Sequence, residues 1–162
     1  MEKKELRKEI TQQLKELGLK RKDYSLRIRE SGYADTYINI ELKNPYVNIA
    51  DVDNALKKYN DIRRDIATYE MLQGCNTFVN VQYEYGLFEE VSKAYDQEAK
   101  EIIEASKNNE AQEIYRIKNN SCYLINDDGL LIVRMDGVGR KIIYDYRGLA
   151  IILFKIKTLN IF

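Results

Sequence analysis

Side chains able to perform acid, base or nucleophilic chemistry are scarce in this chain. Its 162 residues include no histidine, so the commonest general base and metal ligand at neutral pH is missing. The two cysteines, Cys75 and Cys122, are far apart in sequence, and a thiol such as that of Cys75 in QGCNTF lacks an imidazole to activate it. We expect both to be buried thiols. We predict no catalytic residue and therefore no enzyme.

Two glycine-containing segments share the composition of ligand-binding loops but lack their spacing. Asp127, Asp128 and Gly129 place two carboxylates side by side, yet the other ligand positions of an EF-hand are missing. The sequence GVGR at 137–140 lacks the third glycine and the following helix of a phosphate-binding loop. Both segments are predicted to be hairpin turns, and we predict neither a bound metal nor a cofactor.

Surface chemistry remains, and its first candidate is a basic and aromatic group. Arg27 and Arg29 alternate with the apolar residues of a predicted strand, and Tyr33 and Tyr37 lie at the following turn. Arginine forks beside tyrosine rings suit phosphate backbones and protein hot spots alike. Together with Asp35 in the turn, these are our predicted partner-binding residues. The alternative is that they are solvated residues of an exposed sheet face.

The second candidate surface is acidic. Net charge is zero over the whole chain, yet residues 51–113 carry fourteen acidic and seven basic side chains. A negative middle argues against general nucleic-acid binding and suits a basic protein partner, such as an enzyme that acts on nucleic acids. The alternative is that 84–113 forms one solvated helix face. The predicted partner-binding acids are Glu89, Glu90, Asp96 and Glu101.

Hydrophobic periodicity assigns the first half to an α-β-β-α-β unit over 1–85. Apolar residues at helical spacing predict a helix over 2–17, ended by Gly18. Alternating apolar residues then predict a β-hairpin whose turn uses the backbone freedom of Gly32, with Asp35 accepting hydrogen bonds from the turn's amides. The remaining predicted elements are a helix from Asn48 or Asp51 to Tyr59, a turn, a short strand and a loop over 61–74, and a strand within 76–85.

The second half is predicted to consist of one long helix followed by short strands. A long helix is predicted from Leu87 to Ser106, within a connecting segment over 86–111. Short β runs separated by NDDG, DGVG and RG then predict an antiparallel β-meander of four or five strands over 112–162. The fold class is therefore α+β. The last predicted strand, LAIILFKIK, is apolar on both faces through Phe154, which suggests either a central strand or a homodimer through the C-terminal sheet.

Composition and hydropathy bear on where the chain works. With 44% hydrophobic and 32% charged residues, it has the composition of a folded globular protein. The first residues, MEKKELRKEI, carry charges where a secretory signal needs an apolar core, and no apolar run reaches the roughly 18–20 residues that span a bilayer. We therefore expect a cytoplasmic protein that does not enter membranes.

Two stretches, LKELGLKRKDYSLRIRESGYADTYINIELKNPYVNIADV and YEMLQGCNTFVNVQY, carry a resemblance over residues 10–84. They resemble one of the large polyvalent protein-associated domains, modules of phage and plasmid multidomain proteins that also occur as free-standing genes of mobile elements. The family pattern combines a serine-containing basic strand, a Gly-Tyr-Ser-Asp turn, an IKNP-like strand end and a GGNTFV strand. Ala34 replaces the turn serine here, and Cys75 replaces a glycine. The matching positions are Ser25, Arg27, Gly32, Tyr33, Asp35, Asn44, Pro45, Gly74, Asn76, Thr77, Phe78 and Val79.

The resemblance implies a role in the counter-defence that mobile elements carry into a new host. Small proteins with such a domain, no enzyme signature and an unrelated second half are similar to anti-CRISPR inhibitors. The expected partner is a CRISPR-Cas nuclease, whose basic nucleic-acid channel an acidic segment such as 84–113 would block stoichiometrically. The alternative is a nucleic-acid-binding accessory protein of a phage or plasmid that uses the strand with Arg27 and Arg29.

Overall fold

The chain forms an α+β protein, as predicted, with two compact units over residues 1–87 and 88–162. Each unit has its own β-sheet and its own apolar core. The computed structural model describes residues 3–32, 34–107, 111–117, 119–127 and 129–162.

The first unit follows the predicted order, with helix α1 (Lys3–Glu16), strands β1 (Tyr24–Glu30) and β2 (Thr36–Leu42), helix α2 (Ile49–Leu56) and strand β3 (Thr77–Tyr83). β1 pairs antiparallel with β2, and β3 pairs parallel with β2, so that β2 is the central strand. A parallel pair needs a crossover connection, and α2 lies within it.

Helices α1 and α2 pack against one face of this sheet. Gly18 ends α1 with φ at +81°, and this left-handed residue lets the Leu19 amide donate to the Leu14 carbonyl at 3.0 Å. Asn48 caps α2, its Oδ1 accepting from the Ala50 amide at 2.9 Å. The core side chains are Leu6, Ile10, Leu14, Leu19, Tyr24, Leu26, Ile28, Ile38, Ile40, Leu42, Val52 and Leu56.

The turn between β1 and β2 differs from the prediction in its left-handed residue and in the hydrogen bonds of Asp35. Ala34 has the left-handed backbone, with φ at +60°, whereas Gly32 does not. The Asp35 carboxylate accepts from Asn76, which lies 41 positions further along the chain, and no amide of the described turn residues donates to it. The reason is the parallel pairing, which places the start of β3 beside the start of β2. Tyr33 lies outside the described residues.

The connection from α2 to β3 is an ordered loop. Two isolated bridges, Asp61 with Thr77 and Arg64 with Met71, take the place of the predicted short strand. Within the segment closed by the Arg64–Met71 bridge, Asp65 accepts hydrogen bonds from the amides of Thr68 and Ala67, and these bonds hold the pKa of its carboxyl below the usual value. The loop is therefore built from local turn chemistry.

The second unit contains a 3₁₀-helix (Val91–Tyr95), helix α3 (Asp96–Ser106), strands β4 (Ala111–Ile117), β5 (Asn120–Asp127), β6 (Leu130–Met135) and β7 (Gly139–Ile143), and helix α4 (Tyr146–Phe154). The strands form the predicted antiparallel meander in the order β4-β5-β6-β7. Gly129 and Gly137, both with positive φ, lie in the predicted hairpin connections between β5 and β6 and between β6 and β7. Asp128 lies outside the described residues.

The segment predicted as a last strand is helical, and the prediction was wrong there. α4 begins after Asp145, whose carboxylate accepts from the Gly148 amide at 2.9 Å, and ends in a π-helical turn, Lys155–Leu159. A short apolar run is compatible with a buried strand or a buried helix. Leu149 and Leu153 are both fully buried and four residues apart, which is a helical repeat. The predicted homodimer rested on a last strand that was apolar on both faces. Because this segment is a helix, that argument for a homodimer no longer applies.

The long helix predicted from Leu87 to Ser106 is also shorter than expected. α3 begins at Asp96, and a 3₁₀-helix precedes it. Ala99 of α3 is fully buried in the second core, so that this segment contributes to packing. The other members of that core are Cys122, Leu124, Val133, Met135, Ile143, Leu149, Ala150, Ile152, Leu153 and Ile156.

Candidate binding surfaces

The outer face of the first sheet is the face opposite α1 and α2, and its side chains form a regular array. Strand register aligns them in three rows across β1, β2 and β3. The rows are Arg29, Tyr37 and Phe78; Arg27, Asn39 and Asn80; and Ser25, Glu41 and Gln82. We call this nine-residue array the outer sheet face.

An aromatic pair forms one end of the outer sheet face. The rings of Tyr37 and Phe78 are stacked, with centroids 5.1 Å apart and planes 18° from parallel. Tyr37 is 40% exposed, so part of the pair faces solvent. Arg29 lies next to Tyr37 in the same row. Flat rings beside a guanidinium suit the stacking of a base or another planar group.

The middle row of the outer sheet face supplies hydrogen-bonding groups. Asn80 donates from Nδ2 to Oδ1 of Asn39 at 3.5 Å, and each amide has further donor and acceptor capacity. Arg27 and Arg29 are exposed, and no ion pair among the described residues includes either of them. Their charge is therefore presented to solvent.

Asp35, a predicted partner-binding residue, forms hydrogen bonds within the fold. Its Oδ1 accepts from the backbone amide of Asn76 at 2.9 Å and from Nδ2 of the same residue at 3.1 Å. Asn76 is only 2% exposed, and it also donates to the Leu72 carbonyl and accepts from the Arg63 amide. Asp35 and Asn76 together fasten the α2–β3 loop to the β1–β2 turn.

Three of the four predicted acids meet in the second unit. Glu89, Glu90 and Asp96 line one open depression of about 540 Å³, and Asp145 at the start of α4 joins them. We call these four residues the acidic surface. Glu101 is not among the lining residues, because five positions along a helix from Asp96 correspond to about 140° of rotation.

Two basic residues moderate the acidic surface. Lys93 binds Glu90 at 2.7 Å, and both side chains are exposed, so the pair contributes little to stability. Arg147 also lines the depression. The pKa of its guanidinium is raised, first by the hydrogen bond between its Nε and the Tyr146 hydroxyl, and further by the charges of Asp145 and Asp96.

The two cysteines differ, and the prediction that both are buried was wrong for one of them. Cys75 is exposed, at a left-handed position with φ of +57°. Cys122 is fully buried, and burial raises the pKa of its thiol to about 11, although the nearby Lys141 acts in the opposite direction. No group of three or more His, Cys, Asp or Glu side chains that could hold a metal ion occurs in the described parts of the chain.

Sequence reasoning missed Phe78, Asn39 and Asn80 as members of one surface with the arginines. The alternation in both strands showed which residues share a face of each strand. The alternation did not show that β3 pairs with β2. A parallel strand can follow its neighbour after a connection of any length, so the sequence pattern does not identify the pair.

Comparison of the chain with family models, with curated proteins and with solved structures finds no match. The resemblance over residues 10–84 therefore stays a prediction. Within the described residues, no helix is both long enough and apolar enough to cross a membrane.

Proposed function

We propose that this chain is a counter-defence protein of a mobile genetic element and that it inhibits an RNA-guided CRISPR nuclease in the host cytoplasm. It acts by binding the nuclease in equal molar amount, without catalysis or a cofactor. The observation that carries the proposal is the acidic surface, on which Glu89, Glu90, Asp96 and Asp145 converge around one depression. The resemblance of the first half to modules of phages and plasmids supplies the biological setting.

Charge complementarity is the physical basis of this proposal. RNA-guided nucleases hold their heteroduplex in a positively charged channel and stabilise the displaced strand with further Lys and Arg contacts. An acidic surface that docks on such residues competes with phosphate groups for them. Charges at the rim of an interface mainly accelerate association, whereas desolvated pairs slow dissociation. Inhibition by this route requires binding alone.

Charge reversal tests the acidic surface. The full chain is expected to co-elute with a guide-loaded nuclease, and the double variant Glu89→Lys with Glu90→Lys is expected to bind roughly tenfold or more weakly because like charges then face each other. The matched control is Glu101→Lys with Glu104→Lys, which makes the same charge change at exposed positions of α3. Equal weakening by both double variants, or by neither, would refute a role for this surface.

The outer sheet face supports a second candidate function, binding of single-stranded nucleic acid. The stacked Tyr37 and Phe78 offer a platform for a base, and Arg27 and Arg29 lie along the neighbouring edge strand to meet phosphates. Single strands suit a flat sheet face better than duplexes, because their bases are free to stack on side chains.

Fluorescence anisotropy with labelled oligonucleotides tests this second function. Replacing Arg27 and Arg29 by Ala is expected to weaken binding of single strands and to reduce the slope of log affinity against log salt by roughly 1.4, about 0.7 for each lost phosphate contact. Replacing the exposed Lys57 and Lys58 by Ala is the matched control. Undetectable binding at low salt would exclude this function.

A further inference from the structure

The second sheet has an outer face that carries an apolar row. α3 and α4 pack against the face that contains Leu124 and Val133. Because side chains alternate along each strand, the neighbouring residues point to the opposite face. There, strand register aligns Ala111, Ile125, Ile132 and Ile142 in a single row across β4, β5, β6 and β7.

This apolar row is accessible. Ile142 on the edge strand β7 is 52% exposed, and Ile125 and Ile132 are half-buried. None of the three belongs to the core of the second unit. Isoleucines that share one row of an uncovered face form a continuous apolar strip rather than scattered surface residues.

A charged row runs beside the apolar one. Strand register aligns Glu113, Tyr123, Arg134 and Arg140 across the same four strands. The acid lies on β4 at one edge of the sheet, and the two arginines lie on β6 and β7 at the other side. Glu113 is also ion-paired with Arg116 of β4 at 3.1 Å, and Arg134 with Asp136 at 2.9 Å. Arg140, at the opposite edge from Glu113, belongs to no ion pair among the described residues.

We infer that this face binds a second copy of the same chain. A two-fold axis parallel to the strands, between β5 and β6, places β4 of one copy over β7 of the other and β5 over β6. Glu113 then meets Arg140 of the second copy, and Tyr123 meets Arg134. In the apolar row, Ile125 meets Ile132 of the second copy.

The self-complementarity of both rows distinguishes a second copy from an unrelated protein. An isologous interface requires a surface patch that matches itself after a two-fold rotation. The charged row meets this requirement through opposite charges at its two ends and through an aromatic ring opposite a guanidinium in the middle. The apolar row meets it because three of its four residues are isoleucine.

The size of the face predicts a weak dimer. Four strands spaced about 4.8 Å apart and rising about 3.3 Å per residue give a face roughly 20 Å on each side, or on the order of 400 Å² in projection. Stable dimers bury about 800 Å² of accessible surface per partner. We therefore expect dissociation in the micromolar range or weaker, with a monomer at high dilution.

Sedimentation equilibrium of the full chain tests the inference. The average mass is expected to rise from monomer to dimer as concentration reaches hundreds of micromolar. Ile142→Lys is expected to weaken the dimer at least about tenfold, because it places a charge in the apolar row of both copies. Val138→Lys is the matched control, since Val138 is 57% exposed in the β6–β7 turn and outside both rows. A monomer at every concentration, or equal effects of the two variants, overturns the inference.

A charge exchange gives a test that loss of folding cannot imitate. Glu113→Arg alone and Arg140→Glu alone each place like charges opposite each other in the dimer, so each is expected to be monomeric at concentrations where the natural chain pairs. Mixing the two variant chains restores both opposite-charge contacts and is expected to restore a dimer. If the mixture stays monomeric while the natural chain dimerises, the proposed pairing of β4 with β7 is wrong.

Discussion

Asp35 connects the first surface to the fold beneath it. Its carboxylate binds a backbone amide and a side-chain amide of the buried Asn76, and Asn76 in turn binds Leu72 and Arg63. The same turn leads directly into Tyr37, so the position of the aromatic pair depends on this contact. The sequence predicted that Asp35 would accept hydrogen bonds from the amides of its own turn, and the structure corrects the donor to Asn76.

Removing this carboxylate is expected to destabilise the protein. Asp35→Ala leaves two donors of Asn76 unsatisfied in a buried site, which costs about 1–3 kcal/mol of unfolding free energy. Asp35→Asn keeps one acceptor oxygen and is expected to cost less. Urea unfolding followed by circular dichroism measures both effects.

Asp53→Ala, at an exposed position of α2, is the control and is expected to change stability by no more than about 0.5 kcal/mol. Equal stability of the Asp35 and Asp53 alanine variants would contradict the structural role of Asp35.

At the scale of elements, regular amphipathic patterns were predictable and short apolar runs were not. The alternation in β1 and β2 and the helical spacing in α1 each specify one buried face, so these elements were correctly predicted. α4 was not, since LAIILF is apolar on every side and fits either a strand or a helix. Asp145 is the residue that distinguishes a helix from a strand here. It is a preferred helix N-cap, and its carboxylate accepts from the amide of Gly148, three residues later.

The residues of the candidate surfaces were predictable where they follow a regular strand pattern, but not where distant segments bring them together. Arg27, Arg29 and Tyr37 were identified because they alternate with buried residues on adjacent strands. The acidic surface required α4, which brings Asp145 to Glu89, Glu90 and Asp96. Long-range packing of this kind depends on tertiary contacts that sequence periodicity does not encode.

The cap of α4 provides a test at this scale. Asp145→Ala removes the acceptor of the Gly148 amide and is expected to lower the unfolding free energy by about 1 kcal/mol, with a range of roughly 0.5–2. Asp145→Ser retains a capping oxygen and is expected to recover most of this loss. Thermal unfolding monitored by circular dichroism separates the two. If Ala and Ser are equally destabilising, the side chain does not act as a cap.

At the scale of the whole molecule, the neutral net charge conceals two surfaces of opposite character. The outer sheet face of the first unit presents arginines beside aromatic rings, and the second unit presents the acidic surface. Arginine and aromatic residues suit a partner that offers phosphates or planar groups, and carboxylates suit a basic partner. A complex of a nuclease with its guide RNA offers both kinds of partner group at once.

We propose that this protein acts by equimolar contact with a nuclease, and a titration of DNA cleavage distinguishes this action from catalysis. Increasing amounts of the full chain are mixed with a fixed amount of guide-loaded RNA-guided nuclease, and the cleaved fraction of target DNA is measured. We predict a linear fall that reaches zero near equal molar ratio for the nuclease that is its target. Unchanged cleavage across the nuclease types tested, or complete inhibition by a small fraction of a molar equivalent, would contradict equimolar inhibition.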